Sequence, residues 1–245
     1  MSVRSIVDRQ NEVETALVKY APLVILAYKD KGITGFLFAT RTQRNTAPWF
    51  PTDKSVSPKL AGSLMPFDNE PHQQRRGAVV FGIGNYFHVY SLAQIFKEFL
   101  DDEVGENEAH PKLHEMVINK FADYIDEEYR TSARRHGFLV ELAVLSYLNK
   151  GHVNVVRIKH DGDYHEAMPF CILGGLQTMK GADGTAVTIR HQALELANAL
   201  YPKGESDLPD IKTAGSLIGK ILSLGNYPGK IIFGQVDFEG RKGKK

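Results

Sequence analysis

The chain has 245 residues, of which 42% are apolar and 24% are charged, a composition typical of a globular protein with enough length to bury a large core. A formal net charge of +1 gives no general electrostatic attraction to nucleic acid or to an anionic membrane. The single cysteine, Cys171, excludes an internal disulfide and a site built from several thiolates, and this usage is typical of an intracellular protein.

The first residues lack the apolar core of a secretory signal, because charged side chains are spread between Arg4 and Glu14. The longest apolar stretch, 22–28, is far shorter than the roughly 20 residues that cross a bilayer. We therefore expect a cytoplasmic protein with no membrane or nucleic-acid partner.

Residues 6–20 have apolar side chains at helical spacing, and Pro22 ends that pattern. Two β-rich runs follow at 23–27 and 33–39, and the glycine between them suits the tight turn of a hairpin. Prolines interrupt residues 41–77, where we expect mostly loop and one short strand near Lys59.

The next segment predicts a strand at 78–84, a helix through 92–100 and the longest helix between 111 and 137. A meander of strands is expected at 138–147, 153–159 and 170–173, with Cys171 as a buried thiol. A helix at 188–200 and two strands at 216–224 and 230–236 complete the pattern, and the basic tail 240–245 is expected to be disordered. Runs of strands separated by runs of helices favour antiparallel sheets in an α+β fold.

Two glycine pairs invite a ligand-binding interpretation. Gly82 and Gly84 stand between a strand and a helix, as in a dinucleotide-binding turn, but the third glycine of that motif is replaced by Phe87. We therefore favour close backbone packing there, and a sharp exit turn at Gly174 and Gly175.

The nine histidines do not form a metal-ligand pattern. The nearest approaches are His110 with His114 and His160 with His165, and we expect all four on the surface, with no metal and no cofactor. The adjacent Arg134 and Arg135 and the basic tail could contact phosphates. They lack the interleaved aromatic residues of a nucleic-acid site, so we interpret them as solvated ends.

The order of these elements, together with residues 21–28 and above all 138–175, resembles the α subunit of the bacterial, actinobacterial-type 20S proteasome. The similarity spans about 8–236. It implies a single domain over 1–245 with the N-terminal-nucleophile hydrolase (proteasome) fold, a four-layer αββα sandwich of two antiparallel sheets flanked by helices. Residues 1–20 would form a gating segment and a helix.

The resemblance also implies a function. Identical copies would form a ring, taken as seven-membered from the family, that caps rings of β-type subunits, gates substrate entry and receives the carboxy-terminal tails of ATPases or other activators. Lys59, in the stretch 57–60, lies where the family places the lysine that pairs with the tail carboxylate.

Catalytic subunits of this family carry a threonine at the start of the first strand, with its own amine as the base. Ala21 and Pro22 occupy that position here, and Arg41 lies where a supporting aspartate is expected. Thr15 is an alternative nucleophile, but it falls inside the helical pattern. We therefore predict a subunit without catalytic activity of its own.

Two departures from the family pattern are a longer loop before Ala78 and a shortened segment at 176–186. Two other functions remain open at the level of the sequence. One is a hydrolase that is processed to expose its own Thr, Ser or Cys, and the weaker one is a small-molecule-binding protein that uses the turn at 82–84.

Overall fold

The computed structural model describes the chain in nine segments. They are residues 11–30, 33–41, 64–66, 77–107, 112–131, 138–149, 152–181, 184–204 and 207–237. Among the helices of this part, none is both long enough and apolar enough to cross a bilayer.

The described segments contain five helices and eleven strands. The helices are α1 (11–17), α2 (Tyr86–Asn107), α3 (Leu113–Thr131), α4 (Ile189–Leu200) and α5 (Ile211–Ser223). The strands are β1 (Leu23–Asp30), β2 (Ile33–Arg41), β3 (Leu64–Pro66), β4 (Gly77–Gly84), β5 (Val140–Asn149), β6 (His152–Ile158), β7 (Tyr164–Glu166), β8 (Phe170–Leu173), β9 (Thr178–Lys180), β10 (Ala186–Thr188) and β11 (Ile231–Asp237). The protein is therefore a mixed α+β structure.

Two antiparallel sheets organise the strands. Sheet A has the order β11-β2-β1-β8, and sheet B has the order β3-β4-β5-β6-β7, while β9 and β10 form a separate hairpin. In sheet A, Leu23 on β1 lies opposite Leu173 on β8, and Val24 lies opposite Ala39 on β2. The first strand is thus an interior strand of its sheet.

The inner faces of the two sheets pack against each other. Alternate residues of β1 enter this layer, because successive side chains of a strand point to opposite faces. The buried cluster between the sheets contains Leu23, Ile25, Ala27, Phe36, Phe38, Val79, Phe81, Ile83, Ala143, Leu145, Val155, Cys171 and Leu173. The remaining β1 residues point the other way, so β1 is buried on both faces, as its uninterrupted apolar run requires.

Helices cover the outer face of each sheet. Helices α2 and α3 pack on sheet B through residues such as Phe96 and Phe121, whose rings meet edge to face at a centroid distance of 5.1 Å. Helices α4 and α5 pack on sheet A through Ala193, Leu217 and their neighbours. The layer order is helices, sheet B, sheet A, helices.

Three predictions are wrong. Helix α2, with 22 residues, is longer than α3, with 19, which we expected to be the longest helix. Strand β8 pairs with β1 in sheet A and does not continue the meander of β5 and β6 in sheet B. Residues 216–224, which we expected as a strand, belong to α5, whose N-terminus is capped by Asp210 accepting from the amide of Thr213 at 2.8 Å. The residues that α5 buries recur at helical spacing: Ala214, Leu217, Ile218, Ile221 and Leu222. The isoleucine and leucine content suggested a strand, but the spacing and the cap make the segment a helix.

Candidate functional site

The end of the sandwich where β1 begins is the place at which the family resemblance would put a nucleophile. Ala21 is 4% exposed and packs against Ile189 and Tyr227, and Pro22 is also buried. Neither side chain offers a hydroxyl or thiol, and helix α1 precedes them in the chain. The start of β1 is therefore enclosed by packing.

The exit turn of β8 lies directly against this point. Gly174 and Gly175 both have φ of +67°, a conformation that side chains with a Cβ rarely adopt. A Cβ on Gly174 would lie 3.3 Å from the carbonyl oxygen of Ala21, and one on Gly175 would lie 3.3 Å from Cβ of Pro22. The predicted sharp exit turn is confirmed, and it packs closely on the start of β1.

A buried carboxylate holds this turn in place. Glu141 on β5 has a side chain only 5% exposed, and its Oε2 accepts from the amide of Gly174 at 2.8 Å and from Nη2 of Arg190. Its Oε1 accepts from Nε of Arg157 at 2.6 Å and also from Nη2 of the same guanidinium. We call Glu141, Arg157 and Arg190, with Gly174, the Glu141 cluster.

Arg190 completes the attachment of the turn to α4. Its Nε donates to the carbonyl of Gly174 at 2.7 Å, and its amide donates to the carbonyl of Gly175 at 2.8 Å. Burial lowers the pKa of Arg190, while the neighbouring Glu141 opposes that shift. The cluster therefore joins β5, β6, the exit of β8 and the first turn of α4.

This arrangement is suited to holding structure and poorly suited to proton transfer. Both oxygens of Glu141 are engaged by cationic donors, so the carboxylate is not available as a general base. The thiol of Cys171, on β8, is buried, and burial raises its pKa to about 12. A thiol with that pKa is not a nucleophile at neutral pH.

The sequence analysis missed the Glu141 cluster, although the strand pattern contains a clue. Alternation along β5 places Glu141 on the same face as Ala143 and Leu145, which is the inner face between the sheets. Arg157 on β6 lies directly opposite Ala143, on that same face. Opposite charges at inward positions of adjacent strands, here Glu141 and Arg157, predict a buried ion pair. The contact with Arg190 cannot be read from the sequence, because that residue lies on a distant helix.

Two other residues considered as catalytic candidates, Arg41 and Thr15, lie in described elements. Arg41, in the place expected for a supporting aspartate, donates through Nε to the carbonyl of Leu222 at 3.1 Å and so ties β2 to the end of α5. Thr15 stands in helix α1 on its exposed side, as the helical pattern predicted.

Several named features lie outside the described residues. They are Lys59, residues 1–10 of the expected gating segment and helix, His110, the two arginines at 134–135 and the tail 240–245.

The expectation that the histidines lie on the surface is wrong for two of them. His114 is 8% exposed, and its Nδ1 forms a hydrogen bond of 2.7 Å with Oγ of Ser146, while burial lowers its pKa to about 4. His160 is also buried, beside the ring of Tyr129, and burial lowers its pKa. The described residues contain no group of three or more His, Cys, Asp or Glu side chains placed to hold a metal ion.

Packing explains the two glycines at the end of β4. A Cβ on Gly82 would lie 2.6 Å from Cγ1 of Val89, so only glycine allows α2 to approach the strand this closely. Gly84 has φ of +117° and is crowded by the backbone of Leu139. The prediction of close backbone packing is confirmed.

Comparison with known proteins does not assign the chain to a family. No protein-family model matches the chain, and the search of curated proteins gave no match.

Proposed function

We propose that this chain is a non-catalytic α-type subunit of a proteasome-type core particle. Identical copies form the outer ring, which caps rings of β-type subunits, gates substrate entry and docks activators for protein degradation. The observation that carries the proposal is the start of β1, where Ala21 and Pro22 are buried and follow helix α1 in the chain. The position at which the catalytic relatives need a free threonine is here a packed dipeptide.

The layer order supports this assignment. Two antiparallel sheets pack face to face between two helical layers, which is the arrangement expected of the N-terminal-nucleophile hydrolase fold. The order of elements agrees with the resemblance in part: a first hairpin, a strand, two helices, a run of strands and a further helix are present, but α5 stands in place of the first of the two closing strands. The replacement of the penultimate strand by α5 brings two helices onto sheet A.

The alternative is a hydrolase that is processed to expose its own nucleophile. It requires a hydroxyl or thiol at the start of an accessible strand, whereas Cys171 is buried within β8 and Thr15 stands in α1. The Glu141 cluster also fills the neighbourhood of the β1 start with groups already paired to one another. These observations favour the non-catalytic function.

Co-expression with a β-type proteasome subunit tests the proposal. We expect sizing and particle imaging to show stacked rings, and mass spectrometry to show that the chain keeps the residues before Ala21. A chain that stays monomeric with every β-type partner would contradict the ring. Loss of those residues together with the appearance of peptidase activity would instead establish the hydrolase.

The proposed activator contact is tested separately. If Lys59 pairs with an activator tail, Lys59→Glu reduces activator-stimulated proteolysis while leaving ring assembly unchanged. The exposed Lys97 on α2 provides the control, because Lys97→Glu introduces the same charge change elsewhere. Equal stimulation of both variants would remove Lys59 from the contact.

A further inference from the structure

The Glu141 cluster holds more positive than negative charge in a mostly buried place. The guanidinium groups of Arg157 and Arg190 share the single carboxylate of Glu141, and their side chains are only 18% and 15% exposed. Arginine stays protonated inside a protein, so burial does not remove the excess charge. A buried charge without a counterion is costly. The cluster therefore lacks one negative charge.

A second carboxylate near the cluster is already neutralised. The carboxylate of Asp163 accepts a hydrogen bond from Lys159, which lowers its pKa most, and the more distant Arg157 lowers it further. His165 lies opposite Arg157 on β7, and burial lowers its pKa, so it brings no negative charge. Since Asp163 and Lys159 balance each other, the excess stays with the two arginines of the cluster.

Each of these arginines keeps one nitrogen that the cluster does not use. Arg157 and Arg190 both bond through Nε and Nη2. Their Nη1 groups form no hydrogen bond with any residue that the structure describes, and neither Nη1 is sealed from solvent. The two guanidinium groups are held by the two oxygens of Glu141, which brings them within reach of one further anion.

A buried hydroxyl beside Arg190 is also incompletely bonded. Tyr227 is 6% exposed and packs on Ala21 at the start of β1. Burial raises the pKa of Tyr227, while the backbone of Gln177 and the charge of Arg190 oppose that shift. The hydroxyl nevertheless has no partner in ordinary hydrogen-bond geometry within the described part of the chain. Buried hydroxyl groups normally have such a partner, and an anion bound at Arg190 would supply it.

We propose that Nη1 of Arg157 and Nη1 of Arg190 bind a carboxylate anion, with the hydroxyl of Tyr227 as a further donor. A carboxylate offers two oxygens in one plane, one for each guanidinium, and it carries the single negative charge that the cluster lacks. Glu141 already bridges Nη2 of the two arginines in this way. The site is built from one chain, so it does not depend on the proposed ring.

Acetate provides the direct test on the full chain. The Nε–H signals of the arginine side chains are followed by NMR at pH 7 while acetate replaces chloride at constant ionic strength. We expect the signals of Arg157 and Arg190 to shift along a saturable curve in the millimolar range, since one small anion buries little surface. The exposed Arg130 on α3 serves as the internal control, and its signal should not saturate.

Matched variants locate the binding groups. Arg157→Lys and Arg190→Lys keep the charge but remove Nη1, and each should weaken acetate binding about tenfold or more, read from the remaining arginine. Arg130→Lys makes the same change at an exposed position and should leave binding unchanged. Tyr227→Phe removes only the hydroxyl, and we expect binding about threefold weaker. This last variant keeps the test available if a lysine variant fails to fold, which circular dichroism shows.

Three further probes identify the source of the carboxylate. They are acetyl-trialanine with a free carboxy terminus, the same peptide as its amide, and inorganic phosphate. Binding of the peptide acid as tight as that of acetate, with no binding of the amide, indicates a chain terminus as the ligand. Binding of the peptide acid at least about tenfold weaker than that of acetate indicates a small free acid, and either result supports the proposal.

Other results would overturn it. They are an absence of saturable shifts up to about 100 mM acetate, equal weakening by Arg157→Lys and Arg130→Lys, and tighter binding of phosphate than of acetate. Unchanged binding in Tyr227→Phe would remove the hydroxyl from the site.

Discussion

The amide of Gly174 donates to Oε2 of Glu141 at 2.8 Å, so the exit of β8 is fixed to the start of β5, the central strand of sheet B. The same carboxylate pairs with Arg157 and Arg190, which are 18% and 15% exposed at their side chains. A buried charge with several partners is costly to disturb, because its removal leaves the remaining charges without compensation.

We therefore expect Glu141→Gln to destabilise the protein by about 3–5 kcal/mol. The amide keeps the size of the side chain, but it removes the negative charge and directs an N–H group toward donors. Urea unfolding followed by circular dichroism measures the effect. Glu195→Gln is the control, since that exposed residue should change stability by no more than about 0.5 kcal/mol. A loss below about 1 kcal/mol for Glu141→Gln would mean that the cluster contributes little.

The close approach of α2 to β4 predicts a steric effect at Gly82. Gly82→Ala places a Cβ 2.6 Å from Val89, and we expect a loss of about 1–3 kcal/mol from overpacking. Shortening the opposing side chain with Val89→Ala should recover part of that loss in the double variant, so that the two changes are not additive.

Gly219 on α5 is the matched control for that substitution. A Cβ at Gly219 meets no heavy atom within 4 Å, so Gly219→Ala should stabilise the protein by up to about 1 kcal/mol. Equal behaviour of the two alanine variants in thermal unfolding would contradict the packing explanation for Gly82.

The buried His114 predicts a loss of stability in mild acid. Its pKa in the folded protein is about 4, below the 6.5 of a free histidine, so the unfolded chain takes up the proton first as the pH falls. The contribution of neutral His114 to the free energy of unfolding is complete above pH 6.5. It is lost progressively as the pH falls toward 4, by about 3 kcal/mol in total. Burial of His160 acts in the same direction.

Unfolding at a series of pH values between 7 and 5 measures this dependence. His114→Gln should flatten the slope, because the variant has no proton to gain at that position. An unchanged slope in His114→Gln would assign the acid sensitivity to other groups.

The inaccessible thiol of Cys171 predicts slow modification. A buried thiol with a pKa of about 12 should not react with a thiol reagent at pH 8 in the native protein, and it should react fully in denaturant. Ser223→Cys introduces an exposed thiol that serves as the reactive control. Rapid native modification of Cys171 would show frequent opening between the two sheets.

Local sequence patterns predicted most of the regular structure. Strand β8 was expected at the bounds it has, and β1, β4, β5, β6 and α4 differ from their predictions mainly at the ends. Strands β1 and β8 are short, mainly apolar runs, and α4 buries residues at helical spacing. Helix α5 was mistaken for a strand because its apolar residues are numerous, and the cap at Asp210 was not recognised.

The surroundings of the β1 start were less predictable. The sequence identified Ala21 and Pro22 and the turn at Gly174, but it did not bring them together, because their contact depends on the pairing of β1 with β8. His114 was placed on the surface since its partner, Ser146, is distant in the chain and belongs to another element. Long-range side-chain partners are the part of a site that local patterns do not encode.

The pairing of β11 with β2 has a consequence for how the chain acquires its structure. Seven consecutive residue pairs join 231–237 to 35–41, so one edge of sheet A is closed by residues from near the other end of the chain. During synthesis the β1–β2 hairpin emerges long before its neighbour, and until then the open edge of β2 is available to other chains. Completion of sheet A is therefore expected to be a late and slow step, and an early period of vulnerability to aggregation is expected on the ribosome.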